Sequence, residues 1–314
     1  MNPIQFPAFL KPGDRVGVLA PASIVKYEDV VPGIRLFTEQ WGLEVIEGET
    51  LKTSFNQFSA TDDDRLADMQ QMLDDPSIKA IIAARGGYGC SRIVDRLNFE
   101  KFLQYPKWIV GFSDLTAFLA KTFKTGYASI HAPMAKTITN VGAETAAESL
   151  RQMLFGEMPA YEVPAHPLNR SGHATAQVVG GNLCLLAHMI GSETETETDG
   201  KILFIEDINE YLYNHDRMMI QLKRSGKLDK LAGLVVGQFT DMKDNNSPTF
   251  GKDSYEIIAE HVTEFGYPVC YGFPVGHVSD NRAMGIGMEA ELIVTEHAVQ
   301  LRFLPNSNAK SEEI

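Results

Sequence analysis

The chain has 314 residues, 44% of them hydrophobic and 22% charged, which is material for one large domain or two medium ones. Its formal net charge of −13, with 28 Lys and Arg residues that form no run, would repel a phosphate backbone and argues against a nucleic-acid partner. No stretch approaches the roughly 20 apolar residues that span a bilayer, and Met1-Asn2-Pro3-Ile4-Gln5-Phe6-Pro7 has neither the basic nor the apolar region of an export signal, so a cytoplasmic protein with no membrane partner is expected.

Strand and helix patterns alternate through the first half, as in an α/β sheet with parallel strands. Arg15-Val16-Gly17-Val18-Leu19-Ala20 reads as the first strand and stops at Pro21. Residues 32–41 read as a helix with Pro32 in its first turn and Gly42 just past its end. A strand at 43–46 follows, and then a helix over 62–74 with Leu66, Met69, Met72 and Leu73 on one face. The run 78–84 predicts a buried strand that stops at Arg85-Gly86-Gly87-Tyr88-Gly89, and Trp108-Ile109-Val110-Gly111 another that turns at Phe112-Ser113 into a helix over 115–121. Between residues 156 and 173, Pro159, Pro164 and Pro167 interrupt the periodicity, which places a linker at 161–175 between domains 1–160 and 176–314. In the second half, strands are predicted at 176–179, 202–205 and 231–236, and a helix over 216–225. The acidic run 192–199 and residues 241–253 read as solvated loops, and the tail from Asn306 as frayed. Cys90, Cys184 and Cys270 lack the spacing of a zinc site or a disulfide framework and are expected to be reduced core residues.

Four segments carry residues suited to chemistry. Gly111-Phe112-Ser113-Asp114 puts a hydroxyl on a tight strand-to-helix turn beside backbone N–H groups, which suits a nucleophile with its oxyanion hole and equally a helix cap. Gly86-Gly87 can bring backbone N–H groups against a ligand, or simply turn the chain. Arg92 stands where a dinucleotide fingerprint needs its third glycine and no P-loop lysine follows, so no nucleotide cofactor is expected. Leu203-Phe204-Ile205-Glu206-Asp207 ends a strand in carboxylates able to orient an imidazole, with Glu210 and Asp216 as competitors. Gly272-Phe273-Pro274-Val275-Gly276-His277 puts a histidine on a loop, where it can act as acid and base, and His131 is the rival base. His-Glu-x-x-His is absent, so metal-assisted hydrolysis is not expected.

In this order the segments resemble the LD-carboxypeptidase family of serine peptidases, which includes the muramoyltetrapeptide carboxypeptidases and a microcin-immunity branch. The likeness runs almost end to end. It takes in Lys11-Pro12-Gly13-Asp14, Ala20-Pro21-Ala22-Ser23, Ala84-Arg85-Gly86-Gly87-Tyr88-Gly89, Gly111-Phe112-Ser113-Asp114, His131-Ala132-Pro133-Met134, Gly180-Gly181-Asn182-Leu183, Ile205-Glu206-Asp207-Ile208-Asn209-Glu210 and Gly276-His277. The resemblance implies a doubly wound flavodoxin-like N-terminal domain and a smaller, β-rich, barrel-like C-terminal α/β domain, with the site in the cleft between them. It implies Ser113 as nucleophile, His277 as base, Glu206 as orienting acid, and the N–H groups of Asp114 and Gly87 as the oxyanion hole. Arg85 and Arg282 are candidates for substrate binding, since a guanidinium matches a terminal carboxylate, and Gly86 is a further candidate. The implied activity is removal of the C-terminal D-alanine from a murein tetrapeptide, the partner a small peptide, and the assembly a homodimer. Asp207-Ile208-Asn209-Glu210 is closer to the murein branch than to the microcin-immunity branch, which acts on peptide–nucleotide conjugates. The alternatives are that second specificity, a non-catalytic cell-wall-peptide-binding protein, and a thiol hydrolase using Cys90.

Overall fold

Buried apolar strands alternate with amphipathic helices in a computed structural model that describes residues 4–305; the tail from Asn306 lies outside the described residues. The chain forms two compact units. Among the described residues the first comprises 4–157, 191–195 and 278–286, and the second 158–190, 196–277 and 287–305.

In the first unit β1 (Arg15–Leu19), α1 (Tyr27–Arg35), β2 (Glu44–Glu47), α2 (Asp62–Asp74), β3 (Ile78–Ala83), α3 (Glu100–Gln104), β4 (Trp108–Gly111), α4 (Thr116–Lys124), β5 (Ser129–His131) and α5 (Glu144–Leu154) follow one another. β1 to β5 pair in parallel in the order 5-4-3-1-2, the flavodoxin-like doubly wound arrangement, whose ligands gather at the carboxyl ends of the strands. β4 is buried along its whole length, as a central parallel strand covered on both faces must be. Thr61 caps α2 by accepting the Asp64 N–H, and Asp62, Asp63 and Asp64 complement the positive end of that helix. Pro32 does not open a helix. α1 starts five residues earlier, at Tyr27, with Glu28 and Asp29 in its first turn, and continues after Arg35 as a π-helical turn over Leu36–Gln40. Acidic residues favour that earlier start, and the N–H that Pro32 lacks falls just ahead of the widened turn.

The second unit contains β6 (Ala160–Pro164), β7 (Gly172–Asn182), α6 (Leu183–His188), β8 (Ile202–Ile208), α7 (Leu212–Arg224), β9 (Gly233–Thr240), α8 (Ser254–Val262) and β10 (Val269–Cys270). β11 (Met284–Ile286) adds an antiparallel edge to the first unit's sheet beside β5, and β12 (Glu289–Val294) and β13 (Ala298–Phe303) complete the second. Residues 161–175, read as a linker, hold most of β6 and the start of β7; prolines are tolerated there because β6 is an edge strand. β7 serves two sheet types. Its first half pairs antiparallel with β12 and its second half parallel with β8, which pairs in turn with β9. The sheet curls until its ends meet: Arg170 bridges Val269 of β10, and Tyr161 of β6 packs edge-on against Phe273 and Phe303 at 6.0 and 6.3 Å. This is the barrel-like, β-rich unit that the resemblance implied.

Candidate active site

In the first unit the chain leaves β4 through an extended Phe112 and places Ser113, at φ 64°, as the first residue of a 3₁₀ turn that leads into α4. A serine in the left-handed region is uncommon, and such strain persists where surrounding structure enforces it. The helix that follows has Leu115 at its N-cap with no side-chain cap. The alternative reading of Ser113 or Asp114 as helix cap is therefore not what this turn does. Thr116 Oγ1 donates to the Ser113 carbonyl at 2.7 Å, and the buried Asp114 carboxylate accepts the Cys90 N–H at 2.8 Å. A Cβ built on Gly86 would lie 3.2 Å from Ser113 Cβ and 3.4 Å from its Oγ, so the glycine turn runs directly against the serine. Gly87 is exposed, and among the described residues its N–H makes no hydrogen bond. Arg85, next along that turn, donates to the Ile24 carbonyl at 2.6 Å. Arg282 directs Nε and Nη2 at the Asp280 carboxylate, at 3.2 and 3.0 Å.

The second unit joins Glu206 and His277: His277 Nδ1 donates to Glu206 Oε2 at 2.7 Å, with the Glu206 side chain fully buried and that of His277 15% exposed. Three local features make the pair. β9 carries an extra residue opposite Glu206, the register passing from Ile205–Val236 to Asp207–Phe239, a bulge of the kind that re-aims a side chain beside a site. Gly276, at φ 124°, carries the chain over the carboxylate; a Cβ there would lie 2.8 Å from Glu206 Cβ. Thr240 Oγ1 reaches the His277 carbonyl at 3.5 Å. Burial works to lower the His277 pKa, but the hydrogen bond and charge of Glu206, with the charge of Asp207, outweigh it and raise it.

The competing carboxylates are engaged elsewhere. Asp207 accepts from Asn182 Nδ2, Cys184 N–H and Ile208 N–H; Glu210 accepts from Asn214; Asp216 pairs with His261 at 2.7 Å. His131 is fully buried in β5 beside Phe112, a core position rather than the loop expected of a base. Cys90 is buried too, and burial first, then Asp114, push its thiol well above the ordinary range, the opposite of an activated thiol. Among the described residues no group of three or more His, Cys, Asp or Glu is arranged to hold a metal ion, and no helix is long and apolar enough to cross a membrane. A cavity of about 360 Å³, which the sequence gave no sign of, opens in the second unit between Leu212, Phe239, Met242, Asp253, Ser254 and Tyr255. Arg65 also escaped the sequence reading: it is fully buried, on a helix where an arginine is normally taken for solvent-facing.

Comparison with known proteins covers both units. Residues 16–132 match the LD-carboxypeptidase N-terminal domain and residues 175–292 the LD-carboxypeptidase C-terminal domain. A Bacillus subtilis protein described as a probable murein peptide carboxypeptidase is 36% identical over 300 residues, 92% of each chain. The Escherichia coli microcin C7 self-immunity protein MccF is 25% identical over 314 residues, 88% of this chain and 90% of that one. The crystal structure of muramoyltetrapeptide carboxypeptidase from Oxalobacter formigenes superposes with a TM-score of 0.83 at 28% identity, over 92% of this chain and 98% of that chain.

Proposed function

The chain belongs to the LD-carboxypeptidase family, and from that premise we propose that it is a serine carboxypeptidase hydrolysing the L,D-peptide bond before the terminal D-alanine of a murein tetrapeptide. Ser113 is the nucleophile, His277 the general base and Glu206 the orienting acid. With Nδ1 engaged by Glu206, His277 transfers protons through Nε2. It takes the Ser113 proton as Oγ attacks the carbonyl before D-alanine, and the N–H groups of Gly87 and Asp114 hold the oxyanion. His277 then gives the proton to the leaving amine. Water repeats the sequence on the acyl-enzyme and frees the shortened peptide, so neither step needs a cofactor. Glu206 stabilises the imidazolium formed in both halves. Arg85 is the candidate partner of the substrate carboxylate, with Gly86 shaping the pocket beside Ser113. The setting we propose is cytoplasmic peptidoglycan recycling, by a homodimer.

The observation that supports this most is Ser113 itself, held at φ 64° at the end of a buried strand with a glycine turn against its side chain. The test is release of free D-alanine from L-Ala-γ-D-Glu-meso-diaminopimelate-D-Ala, with a chelator control. Wild type should release it regardless of chelator, and Ser113→Ala should lose on the order of 10⁴-fold or more in kcat. No release by folded wild type would sink the murein assignment. Turnover of an aminoacyl-sulfamoyl nucleoside instead would move the protein to the microcin-immunity specificity, and binding without turnover of either to the peptide-binding alternative.

A further inference from the structure

A fully buried arginine needs partners for its charge, and those of Arg65, made through Nη1 and Nη2, are informative. From α2 its Nη1 donates to the Pro21 carbonyl at 2.7 Å and to the Gly89 carbonyl at 3.0 Å, and Nη2 to Asp62. The guanidinium lies over the Phe58 ring at 4.9 Å, and Asp62 also pairs with Arg92. One rigid fork thus joins the loop after β1 to the far end of the glycine turn. Gly89, at φ 143°, has no room for a side chain there: a Cβ would lie 2.6 Å from Arg65 Nη1.

The rest of the turn is held as closely. Ser23 donates its N–H to the Gly86 carbonyl at 3.3 Å and accepts the Tyr88 N–H on Oγ at 3.0 Å. The Asp114 carboxylate, one residue beyond Ser113, accepts the Cys90 N–H and also bonds the Gly89 N–H. Gly86, Tyr88, Gly89 and Cys90 are therefore all anchored through their peptide groups. Among the described residues the N–H groups of Gly86 and Gly87 are directed at no protein acceptor; Gly86 is buried against Ser113, and Gly87, which follows it, is the exposed one of the two. An oxyanion hole acts through donors fixed before charge develops, so whatever fixes this turn contributes to catalysis without touching substrate.

We propose that Arg65 and the Asp114 carboxylate are positioning residues for the reaction, holding the glycine turn against the nucleophile turn so that the Gly87 N–H stays set as an oxyanion donor; this rests on the serine-peptidase reading above. Arg65→Lys keeps the charge but loses the fork that reaches two carbonyls and a carboxylate. Asp114→Asn keeps the volume but turns an N–H₂ toward one of the two N–H groups.

The test uses the full chain and a fluorophosphonate probe, which Ser113 attacks at phosphorus with loss of fluoride, the serine proton passing to the base and the phosphoryl oxygen occupying the oxyanion position. Labelling is followed by intact-mass spectrometry, alongside kcat and KM on the tetrapeptide. In folded Arg65→Lys both the labelling rate constant and kcat should fall about 10²-fold, with KM changed less than about threefold. Asp114→Asn should show a smaller loss of the same kind and decides the matter if Arg65→Lys does not fold. Labelling and kcat unchanged in a folded variant, or a loss carried by KM, would overturn the inference. A wild type that the probe does not label would instead remove the serine-peptidase reading on which it rests.

Discussion

Asp207 follows Glu206 on β8 yet has a different task. It binds Asn182, which caps α6 by accepting the Leu185 N–H, and it takes the Cys184 N–H as well, so it fastens the end of β7 to the start of α6. Burial first, and then the charge of Glu206, push its pKa up to about 7 against the pull of its three N–H donors. The groups whose charges act in this cluster are Glu206 on the same strand and His277 on the loop after β10; Phe239, across on β9, is apolar. Asp207 is one of the charges that raise the pKa of His277. A base must be neutral to accept a proton, so with His277 in the proposed role kcat/KM should fall as pH drops through its pKa. Replacing Asp207 by Asn removes a charge that favours the imidazolium, and the acid limb of the kcat/KM profile should move to lower pH. A profile that keeps its acid limb while only its height changes would reduce Asp207 to a structural anchor. Residue chemistry alone left Asp207, Glu210 and Asp216 as competitors of Glu206, which only the family resemblance singled out, because what separates them is a bulge in a neighbouring strand and a glycine 70 residues away in the chain, at Gly276.

Elements were legible where a single face or run decides them, and less so where packing does. α2 runs over Asp62–Asp74, as its periodicity predicts, but its buried side is rotated. Arg65 and Asp68 point inward with Met69, Met72 and Leu73, and Leu66 is only half-buried. Asp68 accepts from the Thr50 N–H and hydroxyl, and Arg65 donates through Nη1 to the carbonyls it ties together and through Nη2 to Asp62, so their polarity disguised core positions. The short strands β5, β10 and β11, of three, two and three residues, are too brief for alternation to mark them. α1 shows the same limit from another side. Gly33 lies against the Ala135 carbonyl, where an added Cβ would come within 2.1 Å of the oxygen. Helix propensity alone makes Gly33→Ala stabilising by about 1 kcal/mol. The collision with backbone costs more, and the net effect should be a loss of about 1–3 kcal/mol. Urea unfolding of the variant measures the sign directly; a gain in stability would mean that α1 can shift off the loop at Ala135.

At the scale of the molecule, the chain does not finish one unit before starting the next. It leaves the first unit after Glu157, returns for residues 191–195, and returns again at Val278, the residue after His277, to lay β11 beside β5. Met284, Gly285 and Ile286 pair with His131, Ile130 and Ser129, and the Ala283 N–H donates to Ser149 Oγ on α5 at 2.9 Å. Met284 and Ile286 are at most 2% exposed. Burying two such side chains is worth about 3–6 kcal/mol, a large share of the 5–15 kcal/mol that holds a typical domain together. A fragment ending at residue 160, the boundary that composition indicates, carries the Ser113 turn and the glycine turn but bares the β5 edge, where unpaired N–H and C=O groups invite association. Such a fragment should unfold at markedly lower urea than the first unit within the full chain, or aggregate on size exclusion. Attaching residues 278–286 to its end through a flexible linker should restore much of the loss. Full stability in the bare fragment would show that β11 is not needed to complete the first unit. Recovery on adding the segment would show that the tail of the motif carrying His277 also builds the sheet from which Ser113 is presented.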